Sequence, residues 1–459
     1  MPKVFIGAGA GFAGDRTDAA GPVVDALARL DGPRFLMFET LAERTLALSQ
    51  LERRRDPSRG FNPALEKFVG PVLGRCLRDG IRIVGNFGAA NPRAAAERIL
   101  VIAREQGLKA PKIAVVEGDD LSGLLSAEEF ARRETDGAIL RDAREVIAAN
   151  VYLGAAPIAQ ALDQGVDIVV TGRVADSALA LGPLIHAFRW RLDDWDRLAA
   201  GTLAGHLLEC GSQITGGYFA DPSFKDVPGM AELGYPIAEI DSDGGIVIGK
   251  PPGTGGRVDR LTVVEQLLYE IHDPSAYLAP DVVLDVTDVE VSEIGPDRVR
   301  VTGARGKPAP DTLKATVCVD GGTLGEAEIS YAGPNAAARA RLAADIIAER
   351  MRKRAPDLRI RTDAIGMVSV FGNNGGAFSS RRNSKTEYES EDVRLRFAAQ
   401  SSNAAEIELL LDEVEALYCA GPAGGAGVRR RLTPRLSSAS CLIERKFAQP
   451  CVSMIGGGA

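Results

Sequence analysis

The stretch Thr171-Gly172-Arg173-Val174-Ala175-Asp176-Ser177 sets a hydroxyl, a guanidinium and a carboxylate between an apolar run at 167–170 and an apolar, helix-like segment at 178–186. A buried strand that ends where a helix begins is the place at which open α/β sheets gather ligand-binding residues. The same arrangement recurs along the chain. Residues 3–6 run into a glycine-rich turn and then Asp15 and Arg16; 34–38 run into Glu39, Glu43 and Arg44. Residues 81–84 run into Asn86 and Asn91, and 113–116 into Asp119 and Asp120. Polar strand ends in series predict a single crevice.

Each group in that crevice has a chemistry and a competing structural use. Glu39, Asp120 and Asp176, with Glu43 and Asp119 beside them, are candidate acids and bases, because crowded carboxyls are driven to different pKa values and divide the two roles. Asp119 and Asp120 could equally cap a helix, or hold a magnesium ion with water completing its shell. Arg16, Arg44 and Arg173 offer the planar fork that suits a carboxylate or phosphate, so the expected substrate is a small anion. The alternative for Arg173 is a salt bridge to Asp176. Asn86 and Thr171 are candidate donors to a developing oxyanion, and Gly11, Asp15 and Asn91 complete the substrate-binding set.

Three further segments have two readings each. Gly9-Ala10-Gly11-Phe12-Ala13-Gly14 matches the dinucleotide pattern Gly-x-Gly-x-x-Gly, with Glu39 placed as a ribose-binding acid, yet Asp15, Arg16, Asp18, Gly21 and Pro22 delay the helix that should start inside the glycines. In 205–218, His206 and Cys210 are four residues apart and could form a thiolate–imidazolium pair, or Cys210 could be a buried core thiol. Lys250, Thr254, Gly255 and Gly256 could form an anion-binding nest or a plain turn; the Gly-Lys-Ser/Thr ending of a P-loop is missing.

The elements that must position these residues follow from periodicity. Up to about residue 235, short apolar runs alternate with helical patterns such as 22–30, 94–106 and 156–164, which implies parallel strands with crossover helices. The fold class expected is therefore α/β, a doubly wound, mainly parallel sheet with a strand-rich extension at about 236–330. A helix starting at Thr262 with Glu265 as capping partner interrupts the extension. A helix over 336–354 precedes a boundary near 355, so the domains expected are 1–355 and a small α+β domain over 356–459. The glycine-rich end at 456–459 reads as a frayed tail.

Composition narrows the class. With 45% hydrophobic and 25% charged residues the chain is globular, and no apolar run reaches the roughly 20 residues of a membrane span. A net charge of −8 argues against nucleic-acid or anionic-membrane partners, and the runs 53–55 and 429–431 read as solvated faces. The six cysteines show no Cys-x-x-Cys spacing, and the three histidines no zinc pattern. The expectation is a cytoplasmic protein with reduced thiols.

On its motifs the chain resembles the acyclic terpene utilisation AtuA family. The matching runs are 9–16 (Gly-Ala-Gly-Phe-Ala-Gly-Asp-Arg), 38–45, 86–92, 171–176, 206–222, 253–258 and 267–274, in order and over essentially the whole chain. The resemblance implies a setting in the breakdown of branched, isoprenoid-type acids through coenzyme A thioesters, and assigns no catalytic residue. The leading expectation is a catabolic enzyme acting by lyase or hydro-lyase chemistry on an anionic branched hydroxy acid or its coenzyme A thioester, which carries the coenzyme A as part of the substrate. Glu39, Asp120 or Asp176 would act as base, with His206 a further catalytic candidate, Arg173 and Arg16 holding the anion, and no cofactor beyond magnesium. Two alternatives remain: a partner-dependent or non-catalytic subunit with a small companion chain, and an NAD(P)-dependent oxidoreductase. A homo-oligomer is expected in each case.

Overall fold

The computed structural model describes residues 2–135, 137–141, 145–367 and 391–456; the end of the glycine-rich tail lies outside them. The chain divides into two compact units, residues 1–319 with 438–459, and residues 320–437.

The strands of the first unit are β1 (Lys3–Ala10), β2 (Arg34–Phe38), β3 (Arg82–Gly85), β4 (Ile113–Glu117), β5 (Val146–Val151), β6 (Ile168–Thr171), β7 (Ile237–Asp241), β8 (Ile246–Gly249), β9 (Tyr277–Leu278), β10 (Val283–Asp285), β11 (Glu290–Gly295), β12 (Arg298–Thr302) and β13 (Arg305–Lys307). Its helices are α1 (Ala20–Leu27), α2 (Glu43–Arg55), α3 (Leu65–Asp79), α4 (Pro92–Glu105), α5 (Ala127–Ala131), α6 (Ala156–Asp163), α7 (Ala178–Phe188), α8 (Trp195–Glu209) and α9 (Arg260–Leu268). The chain leaves this unit within β14 (Thr312–Ala332) and re-enters it within β17 (Ala426–Glu444), before β18 (Cys451–Ile455).

The large sheet has ten strands in the order β11-β12-β8-β7-β1-β2-β3-β6-β4-β18. Pairing is parallel from β1 through β2, β3 and β6 to β4, and antiparallel at every other step. The sheet is thus mixed, not mainly parallel: the strand-rich extension expected from the sequence joins it through β7, β8, β12 and β11, and the C-terminal β18 closes the other edge. Side chains of the central strands alternate between two cores. Val4, Ile6, Phe35 and Met37 pack with Ile158, Leu181 and Leu203 of α6, α7 and α8. Phe5, Leu36 and Ile83 pack with Val23, Phe68 and Ile99 of α1, α3 and α4. The period of two in the strands sends successive residues to opposite faces, so both faces need a helical cover.

Helix α8 is buried on all sides from Leu198 to Leu208, which its Ala, Gly and Leu content permits. Helix α9 starts one turn earlier than the capping-box reading gave: Asp259 is the cap, its Oδ1 accepting from the amides of Leu261 and Thr262, while Thr262 occupies the third position. An aspartate two residues ahead of Leu261 takes both orphan amides, which Thr262 could not do from inside the helix.

The second unit is an antiparallel sheet in the order β15-β16-β14-β17, with β15 (Ile360–Ile365) and β16 (Asp392–Ser401). Helices α10 (Ala336–Arg354) and α11 (Ala404–Ala420) cover one face, burying Ile347, Met351, Leu410 and Val414 against Ile329, Leu395 and Phe397. The division therefore falls at 320 and 437 rather than near 355. Helix α10 packs on β16, and this keeps it in the second unit, whereas the apolar end of β17 and all of β18 return to the first.

Candidate functional site

In the sheet, β1, β2, β3, β6 and β4 are consecutive neighbours, so the polar segments at their carboxyl ends lie side by side. Hydrogen bonds tie four of them together. The Glu39 Oε1 accepts from Asn86 Nδ2 at 2.9 Å and from the Leu41 amide at 2.8 Å. Asn86 Oδ1 accepts from the Thr40 amide at 2.7 Å. The Arg173 amide donates to Asp119 Oδ2 at 3.0 Å, and its guanidinium Nη1 to the Leu41 carbonyl.

Arg173 is 1% exposed and its guanidinium is largely committed. Nε donates to the Val174 carbonyl at 2.8 Å and Nη2 to the same carbonyl at 2.6 Å, Nη2 also pairs with Asp176, and the plane lies 4.4 Å from the centre of the Tyr152 ring. A guanidinium buried and bonded this way organises the crevice floor and has at most one N–H left for a ligand. Asp176 differs: its carboxyl is about one-third exposed, so it faces a recess.

Two close backbone approaches build the facing wall. A Cβ on Gly205 of α8 would come within 2.4 Å of the Ser177 carbonyl oxygen, and one on Gly11 within 2.4 Å of the Cys210 carbonyl carbon. Only glycine permits both contacts. They bring the end of α8 against the Asp176 loop and the β1 turn, and they place Glu209, with 12% of its side chain exposed, where the charge of Asp176 acts on it. Tyr277, Glu270 and Cys210 share that field.

The ionisable groups are displaced accordingly. Burial, reinforced by the Asp176 charge, holds the Glu39 carboxyl well above the usual carboxylate range against the pull of Arg173. Burial raises Asp176 too, and the Arg173 guanidinium opposes that rise. Burial would also raise Glu43, but the Tyr152 hydroxyl, bonded at 2.6 Å, together with Lys314 at 3.3 Å and Arg173, outweighs it and holds Glu43 at about 2. The recess therefore has an ionised acid in Glu43 and a buried, proton-holding acid in Glu39.

Several residues expected at the site have other uses. Arg16 pairs with Asp18, and Asp15 accepts from the Gly11 and Arg16 amides at 2.7 Å each and from the Tyr235 hydroxyl, so both shape the β1 turn. Asn91 caps α4 and donates to the Pro57 and Arg59 carbonyls at 2.8 and 2.7 Å. The Thr171 hydroxyl donates to the Gly172 carbonyl, and one N–H of the Asn86 amide donates to Glu39. Asp119 is taken by Asn150 at 2.8 Å and the Arg173 amide, while Asp120 accepts from Gln50 and the Ser122 amide and faces Arg53 at 3.8 Å; the adjacent pair does not act together. Among the described residues no three His, Cys, Asp or Glu side chains are grouped to hold a metal ion. Arg44 is exposed on the first turn of α2.

The 250–256 loop is a turn, not a nest. The amides of Gly255 and Gly256 donate to Glu232 and Pro228 at 2.7 Å each, the Thr254 hydroxyl donates to Pro251, and Lys250 bonds the Thr254 carbonyl and pairs with Asp297. His206 pairs with Glu209, not Cys210, whose thiol is pushed up by burial and by the Glu209 charge. The 9–14 glycines serve packing: a Cβ on Gly9 would meet the Phe38 ring at 2.6 Å, and α1 starts only at Ala20. Tyr152, Lys314 and Tyr277 were missed because they arrive from β5, β14 and β9, elements with no motif of their own. Glu209 was signalled only by the density of polar residues in 205–218.

Fold and site together define a mixed α/β protein with a carboxyl-rich recess at the ends of its parallel strands. The model of the acyclic terpene utilisation family protein AtuA matches residues 4–454, and the chain belongs to that family. No curated protein matches it. Among the described residues no helix is long and apolar enough to cross a membrane.

Proposed function

We propose that the chain is a catabolic enzyme that adds or removes water at a branched, isoprenoid-type hydroxy acid or its coenzyme A thioester. Membership of a family for acyclic terpene utilisation supplies the setting. The observation that carries the chemistry is that Glu39 and Asp176, carboxyls at the ends of β2 and β6 that act on one another's charge, have different surroundings: Glu39 has no cation of its own, and Asp176 is bonded to Arg173. In the eliminating direction Asp176 takes the proton from carbon, Glu39 gives its proton to the departing hydroxyl, and an alkene and water result. The same pair suits carbon–carbon lyase chemistry, with the base on the substrate hydroxyl and the acid on the enolate.

Since Arg173 and Arg16 are committed elsewhere, the substrate anion falls to Arg44, which is exposed, with Lys314 beside it shared with Glu43. An apolar surface near the recess suits the hydrocarbon part. Phe12, Tyr218, Leu261 and Leu268 are each more than half exposed, and a groove of about 370 Å³ is lined by Phe219, Leu261, Val264, Leu268 and Tyr269 together with the charged Lys225, Arg260 and Glu265. Tyr269 also feels Cys210 and Glu270 of the recess wall.

The test is incubation with branched and straight hydroxy acids, their unsaturated counterparts and the coenzyme A esters of both, with gain or loss of water followed by mass spectrometry. Glu39→Gln keeps an acceptor for Leu41 and Asn86, so it should fold and lose roughly 10²–10⁴-fold in turnover. Retained turnover in Glu39→Gln sinks the reading.

A second reading, a subunit that needs a small companion chain, draws support from Tyr218 and Phe224, 86% and 85% exposed, since isolated aromatics of this kind suit a protein partner. Activity that appears only with a copurified chain would favour it. Titration with NAD(P)H tests the oxidoreductase alternative, which the packing role of the 9–14 glycines disfavours.

A further inference from the structure

The ten-stranded sheet ends on one side in β11 and on the other in β18. Strand β11 carries Glu290 and Glu293, both exposed, and its register shifts between Glu293 and Gly295. Charges and a bulge are the usual means by which a free edge is kept from pairing with another chain. Strand β18 has neither. Its residues, Cys451-Val452-Ser453-Met454-Ile455, include no charge and no proline, and they run unbroken against β4 from Cys451 opposite Glu117 to Ile455 opposite Ile113. In an antiparallel pair, alternate residues turn their N–H and C=O groups away from the neighbouring strand. Among the described residues no main-chain hydrogen bond reaches β18 outside its ladder with β4. Met454 is 42% exposed, and Cys451 is exposed as well.

We propose that β18 pairs edge to edge with the β18 of a second copy, joining two ten-stranded sheets across a two-fold axis. The strand fits itself. Residues whose polar groups point outward can pair only with others of that kind, so in a symmetric antiparallel pair the axis passes beside a residue and not between two. Full overlap of 451–455 puts the axis at Ser453, whose small side chain meets its own counterpart. Cys451 then stands opposite Ile455 of the second copy on one face, and Val452 opposite Met454 on the other, apolar pairs of the kind that stabilise a sheet. Both faces are covered up to this edge, since Ile455 packs on the core under α1, α3 and α4, and Val452 on the core under α6, α7 and α8. Pairing would carry the two cores across the axis. Arg93 of α4 donates to the Ser453 hydroxyl at 3.4 Å and faces Glu117 at 3.9 Å, so the cation it brings towards the axis has its counter-ion beside it. Across the axis the two β4 strands run in opposite directions, and each recess stays complete within its own chain. The pairing therefore does not rest on the acid–base reading above.

The test is the mass of the full-length protein in solution, read by light scattering after size exclusion over a range of concentrations, and a dimer is expected. Ser453→Asp opposes two carboxylates at the axis and should weaken the dimer about tenfold, whereas Ser453→Ala should leave it intact. Unfolding midpoints of both variants show whether they fold. Ser453→Cys in a Cys451→Ser background gives a second reading that needs no dissociation: mild oxidation or a short bis-maleimide should join two chains through position 453, and the Cys451→Ser parent should stay unlinked. A monomer at every concentration overturns the proposal. A dimer that survives Ser453→Asp, or from which Ser453→Cys yields no covalent pair, is assembled through another surface and overturns it too.

Discussion

Arg173 Nη1 donates to the main-chain carbonyl of Leu41, which stitches the turn after β6 to the turn after β2 across the intervening strand. Glu39 lies two residues before that carbonyl and Asp176 three residues after the guanidinium's own backbone, so one hydrogen bond sets the spacing of the two carboxyls. The arginine fork is a beam between strand ends, with the Tyr152 ring stacked on it.

Removing that beam should cost stability as well as activity. Arg173→Ala strands the Leu41 and Val174 carbonyls and leaves Asp176 without its cation, a loss of about 3–5 kcal/mol by the usual cost of breaking a buried ion pair. Arg173→Lys should recover little, because a single ammonium cannot reach acceptors in three directions. Thermal unfolding of the three proteins checks this. An unchanged midpoint in Arg173→Ala would mean that the guanidinium is dispensable to the fold and available to a ligand.

Gly11→Ala tests the wall of the recess. The added methyl would press on the Cys210–Gly211 backbone, which cannot give way as a side-chain end would, and overpacking of this kind costs about 1–3 kcal/mol. Gly107→Ala is the control, with open space at its Cβ but a left-handed φ of 66°. If Gly11→Ala is no more destabilising than the control, the close approach of β1 to α8 is not maintained in solution.

How much of this was legible in the sequence depends on whether a residue's neighbours were local. The strand-end pattern located Glu39, Asn86, Asp119, Arg173 and Asp176, because a parallel strand delivers its next residues to one edge of the sheet. Of their partners, the salt bridge from Arg173 to Asp176 was legible as one of two readings, and the structure has it; the Leu41 and Val174 carbonyls that also occupy the guanidinium were not. The 250–256 loop reads equally as a nest or a plain turn, and only the pairing of its amides to the Glu232 and Pro228 carbonyls, whose approach the turn itself does not encode, decides for the turn. Mixed pairing was likewise hidden: β7 and β8 read as part of a strand-rich extension, and only the register of β7 on β1 joins them to the large sheet.

Stability should fall as pH rises from about 4 to about 6. Burial lifts Asp119 to about 6 even though the Arg173 amide and Asn150 bond it, while in the unfolded chain it titrates near its ordinary 3.8. Between these values the folded state binds more protons than the unfolded one, and the slope of stability with pH is negative there. Asp281, raised to about 6 by burial at the start of α6, adds to the same window. Urea titrations at pH 4, 5, 6 and 7 measure the slope, and Asp119→Asn should flatten it by removing one of the contributors. A slope unchanged in Asp119→Asn would show that the carboxyl is hydrated in solution.

The apolar groove makes a prediction about chain length. Leu268 is 52% exposed at the outer face of α9, next to Leu261 and across from Phe219, with Tyr269 leading from the groove towards Glu270. A hydrocarbon chain lying there would bury part of Leu268, a gain of about 1–2 kcal/mol at the usual value per unit of apolar area. With its head group at the carboxyls, a longer branched acid is expected to extend onto Leu268 and a short one to stop before it. Leu268→Glu should therefore weaken binding of the longer acid about tenfold, the factor that corresponds to 1.4 kcal/mol, and leave the shorter one unchanged. The residue is on the surface, so the variant should fold, and its unfolding midpoint serves as the control. Calorimetric titration of both acids against both proteins gives the answer. Equal weakening of the two would place Leu268 in the binding of the acid head instead, and no weakening of either would remove the groove from the substrate's path and leave it to a protein partner.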